Sequence, residues 1–273
     1  MRSFLALLLI TTLWSCEVTS VKNVPLPASP QNLVVIGLAT NLGMGVYVST
    51  TAPFKGSSVA TGLLEAKVSL LRGNQAVELL QKQSLFYTTS QRRNYDQEYL
   101  LQVQHLTLGE ASAALETLPE RVAIVKPIAT FDKNERDVNV SFSLKDAGEK
   151  NYYAYKIIPA NNRIPAPDSL FYRISPDFLF DNLAFANQTK TVKTRQAVAW
   201  RNAAGQTIRA NRVTIYLYHL SSATYDYYRS LGEYLSFFDD TFAIVLPTKN
   251  NIKNGQGFVG ACSIDSVSVV VKP

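Results

Sequence analysis

Two residue types that usually carry chemistry are scarce in this chain: of its 273 residues, only two are cysteine and two are histidine. Two cysteines cannot build a disulfide framework that would staple a small secreted domain. Two histidines, His105 and His219, both fall in strand-like segments, and neither has a second metal ligand beside it in sequence. A metal centre needs several converging donors, so none is expected, and no cofactor is expected either. A His-dependent nucleophilic triad has little to draw on for the same reason. Charge is also thin. The formal net charge of +6 is spread over separate positions such as Arg92, Lys190, Lys193, Arg195, Arg209 and Arg212, without the density of a nucleic-acid patch. No nucleic-acid partner is expected, and a mildly basic solvated surface accounts for the charge.

Apolar runs long enough to span a bilayer are missing too. The longest, Phe4–Leu13, follows Arg2 and ends in Leu13-Trp14-Ser15-Cys16. A short basic start, an apolar stretch, a small residue and then cysteine is the pattern of a lipoprotein signal peptide. Residues 1–15 are therefore expected to be removed and Cys16 to carry the lipid. Each buried CH₂ contributes about 0.8 kcal/mol, so several acyl chains would hold the protein on a membrane. Glu17 follows the cysteine, which favours the outer membrane. Residues 16–31, with three prolines, read as a tether.

What is abundant is the pattern of short β-strands. Leu33–Thr40 and Met44–Thr51 flank a turn at Asn41-Leu42-Gly43; Glu65–Leu71, Ala76–Leu80 and Tyr99–Leu106 follow. Strands at this spacing predict a β-sandwich over residues 32–118. A second β-rich unit is expected over 119–273. In it, Asp137–Leu144 alternates cleanly, with Val138, Val140, Phe142 and Leu144 inward; Lys145–Lys150 is a turn and Asn151–Ile158 the returning strand. Residues 159–200 read as loops with short helical pieces. Val213–Leu220 is a strand, and Ile264–Val271 closes the fold. Only Ser222–Ser236 shows a helical period, with Tyr225, Tyr228, Leu231 and Leu235 on one face and Ser222 as N-cap.

Four further features are candidates for chemistry. The run Asp132-Lys133-Asn134-Glu135-Arg136-Asp137 offers oxygen donors that could hold calcium, but it lacks the glycine and distal glutamate of an EF-hand loop. Asp239-Asp240 could supply a glycosidase acid only if an opposing carboxylate faced it across a cleft. Asp168-Ser169-Leu170 and Asp265-Ser266-Val267 fit a short acid–hydroxyl–apolar pattern of O-glycosylation. The stretch LPTKNNIKNGQGFVGACS, residues 246–263, suggests a phosphate loop at first sight. Its Lys253 precedes the glycines and a strand follows, so Asn254, Gly255 and Gly257 are expected to make a turn and Cys262 to be a small buried residue.

Several segments together resemble one family, domain-of-unknown-function family 4249, lipoproteins of the phylum Bacteroidota. They are NLVVIGLAT, VSLLRG, EYLLQVQ, EASAALETLPERVAI, VNVSFSLKDAGEKNYYAYKI, YLYHLSSATYDYYRSL and NNIKNGQGFVGA, in the family's order. The most specific is the strand followed by Lys145-Asp146 and then Asn151-Tyr152-Tyr153. The resemblance implies an immunoglobulin-like form for the front sandwich, residues 32–118, and an envelope lipoprotein, often encoded near TonB-dependent transporters, with no catalytic residues to carry over. The expectation is a non-catalytic outer-membrane lipoprotein that assists such a transporter or binds a small nutrient or glycan. A structural role in envelope assembly and a surface hydrolase of glycans or peptides remain as alternatives.

Overall fold

Two strands from opposite ends of the chain, Leu33–Thr40 (β1) and Gln256–Val270 (β17), lie side by side and run parallel. The computed structural model describes residues 31–51, 65–83, 86–92, 95–96, 98–133, 136–146, 148, 150–160, 174–201, 205–237 and 248–273. The signal peptide, Cys16, nearly all of the tether, the Asp168 tripeptide and Asp239-Asp240 lie outside them.

The first half contains β2 (Gly43–Thr50), β3 (Lys67–Arg72), β4 (Gln75–Leu79), β5 (Gln81–Gln83), β6 (Phe86–Thr89), β7 (Tyr99–His105) and β8 (Gly109–Ala114). The second contains β9 (Val125–Phe131), β10 (Asp137–Lys145), β11 (Tyr152–Pro159), β12 (Leu179–Asp181), β13 (Thr189–Ala197), β14 (Ala199–Arg201), β15 (Thr207–Arg209) and β16 (Arg212–Leu220), then α1 (Ser222–Phe237) and β17. Among the described residues the protein is mainly β with one α-helix, as the sequence leads one to expect.

An eight-stranded sheet in the order β12-β11-β16-β17-β1-β2-β6-β5 takes strands from both sides of residue 118. β17 makes this possible through its length. Its first part, Gln256–Cys262, pairs with β1, and Cys262–Val270 pairs with β16. A four-stranded sheet, β4-β3-β7-β8, shares one apolar cluster with β1 and β2, built on Leu33, Val35, Val46, Val68, Leu101 and Val103. A three-stranded sheet, β13-β10-β9, shares a second with β11 and β16, built on Val138, Val140, Phe142, Leu144, Ile215 and Leu217. A third cluster joins the helix to the large sheet through Tyr227, Tyr228, Phe258, Cys262 and Tyr218. The expected inward face of β10 is the buried one, because period-2 alternation places all four apolar side chains on one side of the pleat.

Three expectations are corrected. The closing strand begins at Gln256, not Ile264, because Gly257 and Gly260 permit close backbone approach rather than ending the strand. A Cβ on Gly257 would overlap the Val35 backbone, and one on Gly260 would overlap Thr224. The helix is capped one residue earlier: the Thr224 N–H donates to Ser221 Oγ at 3.3 Å, and the Tyr225 N–H to the Ser221 carbonyl. Its buried face holds Thr224, Tyr227 and Tyr228, whereas Leu235 is 55% exposed. Among the described residues of 159–200, the strands Leu179–Asp181 and Thr189–Ala197 stand where loop is expected, and the expected short helical piece is the single turn Pro176–Phe178.

Candidate functional site

The Asp132–Asp137 segment joins β9 to β10, where the Asp132 N–H donates to the Asp137 carbonyl at 2.9 Å. Strand β13 pairs with β10 so that Arg195 stands opposite Asn139. From there its Nη2 reaches Asp132 Oδ2 at 2.5 Å and Asp137 Oδ2 at 2.7 Å. The guanidinium occupies the position between the carboxylates where calcium would have to sit. Burying a cation beside it would add like-charge repulsion, so the segment is an ion-paired corner.

Just beyond that corner the chain builds a cleft. The Arg136 carbonyl accepts N–H bonds from Val198 and Ala199, at 3.0 and 3.2 Å, which turns the chain out of β13 into β14. Val198 and Ala210 are fully buried and bonded to each other at 3.0 Å, so they clamp the base of the β14–β15 hairpin. Trp200 lies opposite Ile208 in that hairpin and packs against the second cluster. The resulting hollow, about 400 Å³, is lined by Arg136, Asp137, Trp200, Arg201 and Thr207. A second hollow of about 300 Å³ lies beside β2, β5 and β6, lined by Leu42, Gly45, Leu79, Gln81 and Thr88.

The densest polar cluster among the described residues is one that no sequence motif points to. Asp146, 3% exposed, accepts the Tyr153 phenol at 2.7 Å, Asn182 Nδ2 at 2.9 Å and Asn151 Nδ2 at 3.0 Å. It also accepts the N–H groups of Gly148 and Asn187, at 2.9 and 3.1 Å. Burial alone would raise its pKa, but the bonds from Asn182, Tyr153, Asn151 and Gly148 outweigh it and lower the value to about 2. Burial and the facing carboxylate push the Tyr153 phenol upward, so it stays a donor. Gly148, at φ +95°, is required here, since a Cβ would overlap the Asn187 amide.

His219 extends this network. Its Nδ1 lies 2.6 Å from the Glu120 carbonyl and its Nε2 lies 3.1 Å from Asn151 Oδ1, while its ring stacks on Tyr153 at 5.0 Å. Burial drives its pKa down, against the Glu120 carbonyl, which favours the protonated ring. His105 ends β7 in the four-stranded sheet, with Nδ1 facing the Thr107 hydroxyl at 3.2 Å. The two histidines sit in different sheets. Among the described residues there is no group of three or more His, Cys, Asp or Glu side chains that could hold a metal.

The glycine-rich stretch is structural. Lys253 is bonded through its backbone to Ser112 in both directions, at 3.0 and 2.7 Å, so the stretch is tied to β8. Asn251 Oδ1 accepts the Val259 N–H at 2.9 Å, and its Nδ2 donates to the Val259 carbonyl at 2.8 Å. Asn254 and Gly257 do take positive φ, as expected; Gly255 instead packs closely against Leu33, Ile252 and Ala111. Cys262 is fully buried, and burial pushes its thiol far above the range of a reactive thiolate. Asp265, of the second O-glycosylation tripeptide, is held by the Arg121 guanidinium and the Ile124 N–H.

A family model described as "Domain of unknown function (DUF4249)" matches residues 21–268, and the chain belongs to that family. No curated protein matches it. The Asp146 network explains the strongest sequence marker in physical terms, because Asp146, Asn151 and Tyr153 all come from the segment VNVSFSLKDAGEKNYYAYKI.

Proposed function

We propose that this family member is a non-catalytic lipoprotein of the outer membrane, anchored through Cys16, that serves a TonB-dependent nutrient transporter as an accessory or ligand-binding partner. One observation supports the non-catalytic reading above the others: among the described residues, the buried and half-buried carboxylates at the candidate sites are already engaged. Arg195 holds Asp132 and Asp137, Arg121 holds Asp265, and five donors surround Asp146. A hydrolase needs a carboxylate able to gain and lose a proton in reach of substrate, near the working pH. A carboxylate held at a pKa of about 2 is a fixed acceptor instead.

Deletion of the gene separates this reading from its rivals. The expected result is loss of growth on one nutrient, with resistance to detergents and large antibiotics unchanged. Loss of envelope integrity on every carbon source would instead support a structural role in assembly and contradict the proposal.

A further inference from the structure

We propose that the cleft beside the β14–β15 hairpin binds an acidic carbohydrate, a pyranose carrying a carboxylate. The proposal refines the ligand-binding part of the function above and makes no use of the membrane anchor. Trp200 supplies an aromatic platform on which the C–H face of a sugar ring can stack. The indole is half-buried against the second apolar cluster, and its hairpin is clamped at Val198 and Ala210, so little side-chain freedom is lost on binding.

Two arginines set the charge. Arg136 and Arg201 both line the cleft, both are exposed, and neither forms an ion pair among the described residues. They differ in this from Arg72, Arg121, Arg195 and Arg229, each of which meets a carboxylate. A guanidinium fork suits a carboxylate better than a point charge does, because it donates two parallel bonds. Asp137 also lines the cleft and shares the Arg195 guanidinium with Asp132; with Arg136 and Arg201 added, the positive charge outweighs the two carboxylates, and Asp137 offers an acceptor for a sugar hydroxyl. Thr207 adds a hydroxyl. The volume, about 400 Å³, lies within the range of small-molecule sites. A bare inorganic anion would use the arginines and leave the indole idle; a neutral sugar would do the reverse.

The chain has only two tryptophans, Trp14 and Trp200. Trp14 lies in the segment expected to be cleaved, so the mature protein in detergent, or an uncleaved chain carrying Trp14→Phe, reports on the cleft through Trp200 emission alone. It is titrated with tetragalacturonate, sialyllactose, neutral maltotetraose and sodium sulfate. The expected result is a saturable emission change with at least one acidic sugar, with maltotetraose and sulfate weaker by roughly tenfold or more, the size of one charge-assisted bond. Arg136→Gln and Arg201→Gln should each weaken the acidic sugar by about tenfold with an unchanged melting temperature. Both are exposed, so folding is preserved. No response to either acidic sugar at millimolar concentration, an equal response to maltotetraose or sulfate, or full binding by both arginine variants would overturn the proposal. None of these outcomes bears on membrane anchoring or on recovery of a transporter, which are read separately.

Discussion

The phenol of Tyr153 donates to the carboxylate of Asp146 across 2.7 Å, with both residues almost wholly buried. This bond ties β11 to the turn after β10, and His219 stacked on the same ring carries the contact to β16 and the Glu120 carbonyl. Three separate stretches of chain are thus fixed by one acid. Tyr153→Phe keeps the ring and its stacking on Phe180 and His219 but removes the donor. It should cost about 1.5–3 kcal/mol, the usual worth of a hydrogen bond to a charged group, measured by urea unfolding. An unchanged midpoint would show that the network is not a source of stability.

Acid should weaken the fold through the same residue. Asp146 has its pKa lowered to about 2, against an ordinary value near 4, so the folded state binds fewer protons than the unfolded one. Its contribution is complete above about pH 4 and is lost as the pH falls toward 2, on the order of 2 kcal/mol in all. Asp146→Asn should be less stable at neutral pH and should flatten the stability profile between those limits. A wild-type slope retained in the variant would place the acid sensitivity elsewhere.

Gly257 allows β1 and β17 to pair. At φ +114°, and against the Val35 backbone, it has room for no side chain. Gly257→Ala should cost roughly 3 kcal/mol or more through strain and overlap, seen as loss of soluble folded protein or a large fall in melting temperature. Gly73→Ala is the control: its φ is also positive, at +59°, but nothing lies within 4 Å of an added Cβ, so about 1 kcal/mol is expected. Equal costs would show that close approach at β1–β17 is unimportant.

Cys16 is expected to be the acylated residue. Radiolabelled palmitate should enter the wild-type protein, and Cys16→Ala should abolish the label and release the protein from the membrane fraction. Labelling that persists in the variant would contradict the anchor.

Legibility in the sequence followed the burial pattern. β10 was readable because four apolar side chains alternate with polar ones along a strand buried on one face. β13, its neighbour, was not: in TKTVKTRQA only Val192 is buried, and the rest of the strand is half-exposed or exposed, so no apolar period marks it. Missing β13 also hid Arg195, and with it the ion pairs that exclude calcium from the Asp132 corner. Only half of β17 is legible, because its glycines look like a turn, whereas they serve close packing against β1 and α1. The Asp146 hub left only an indirect trace, the spacing Lys145-Asp146 to Asn151-Tyr152-Tyr153. Its remaining partners, Asn182, Asn187 and His219, lie 36 or more residues away or join only through another residue, so no local spacing could collect them.

The most direct measurement is purification of the tagged full-length protein from native membranes in mild detergent, followed by identification of what accompanies it. The account predicts recovery of an outer-membrane TonB-dependent transporter in near-stoichiometric amount, retained on washing. Recovery of the protein alone, with no transporter or other envelope component, would contradict it.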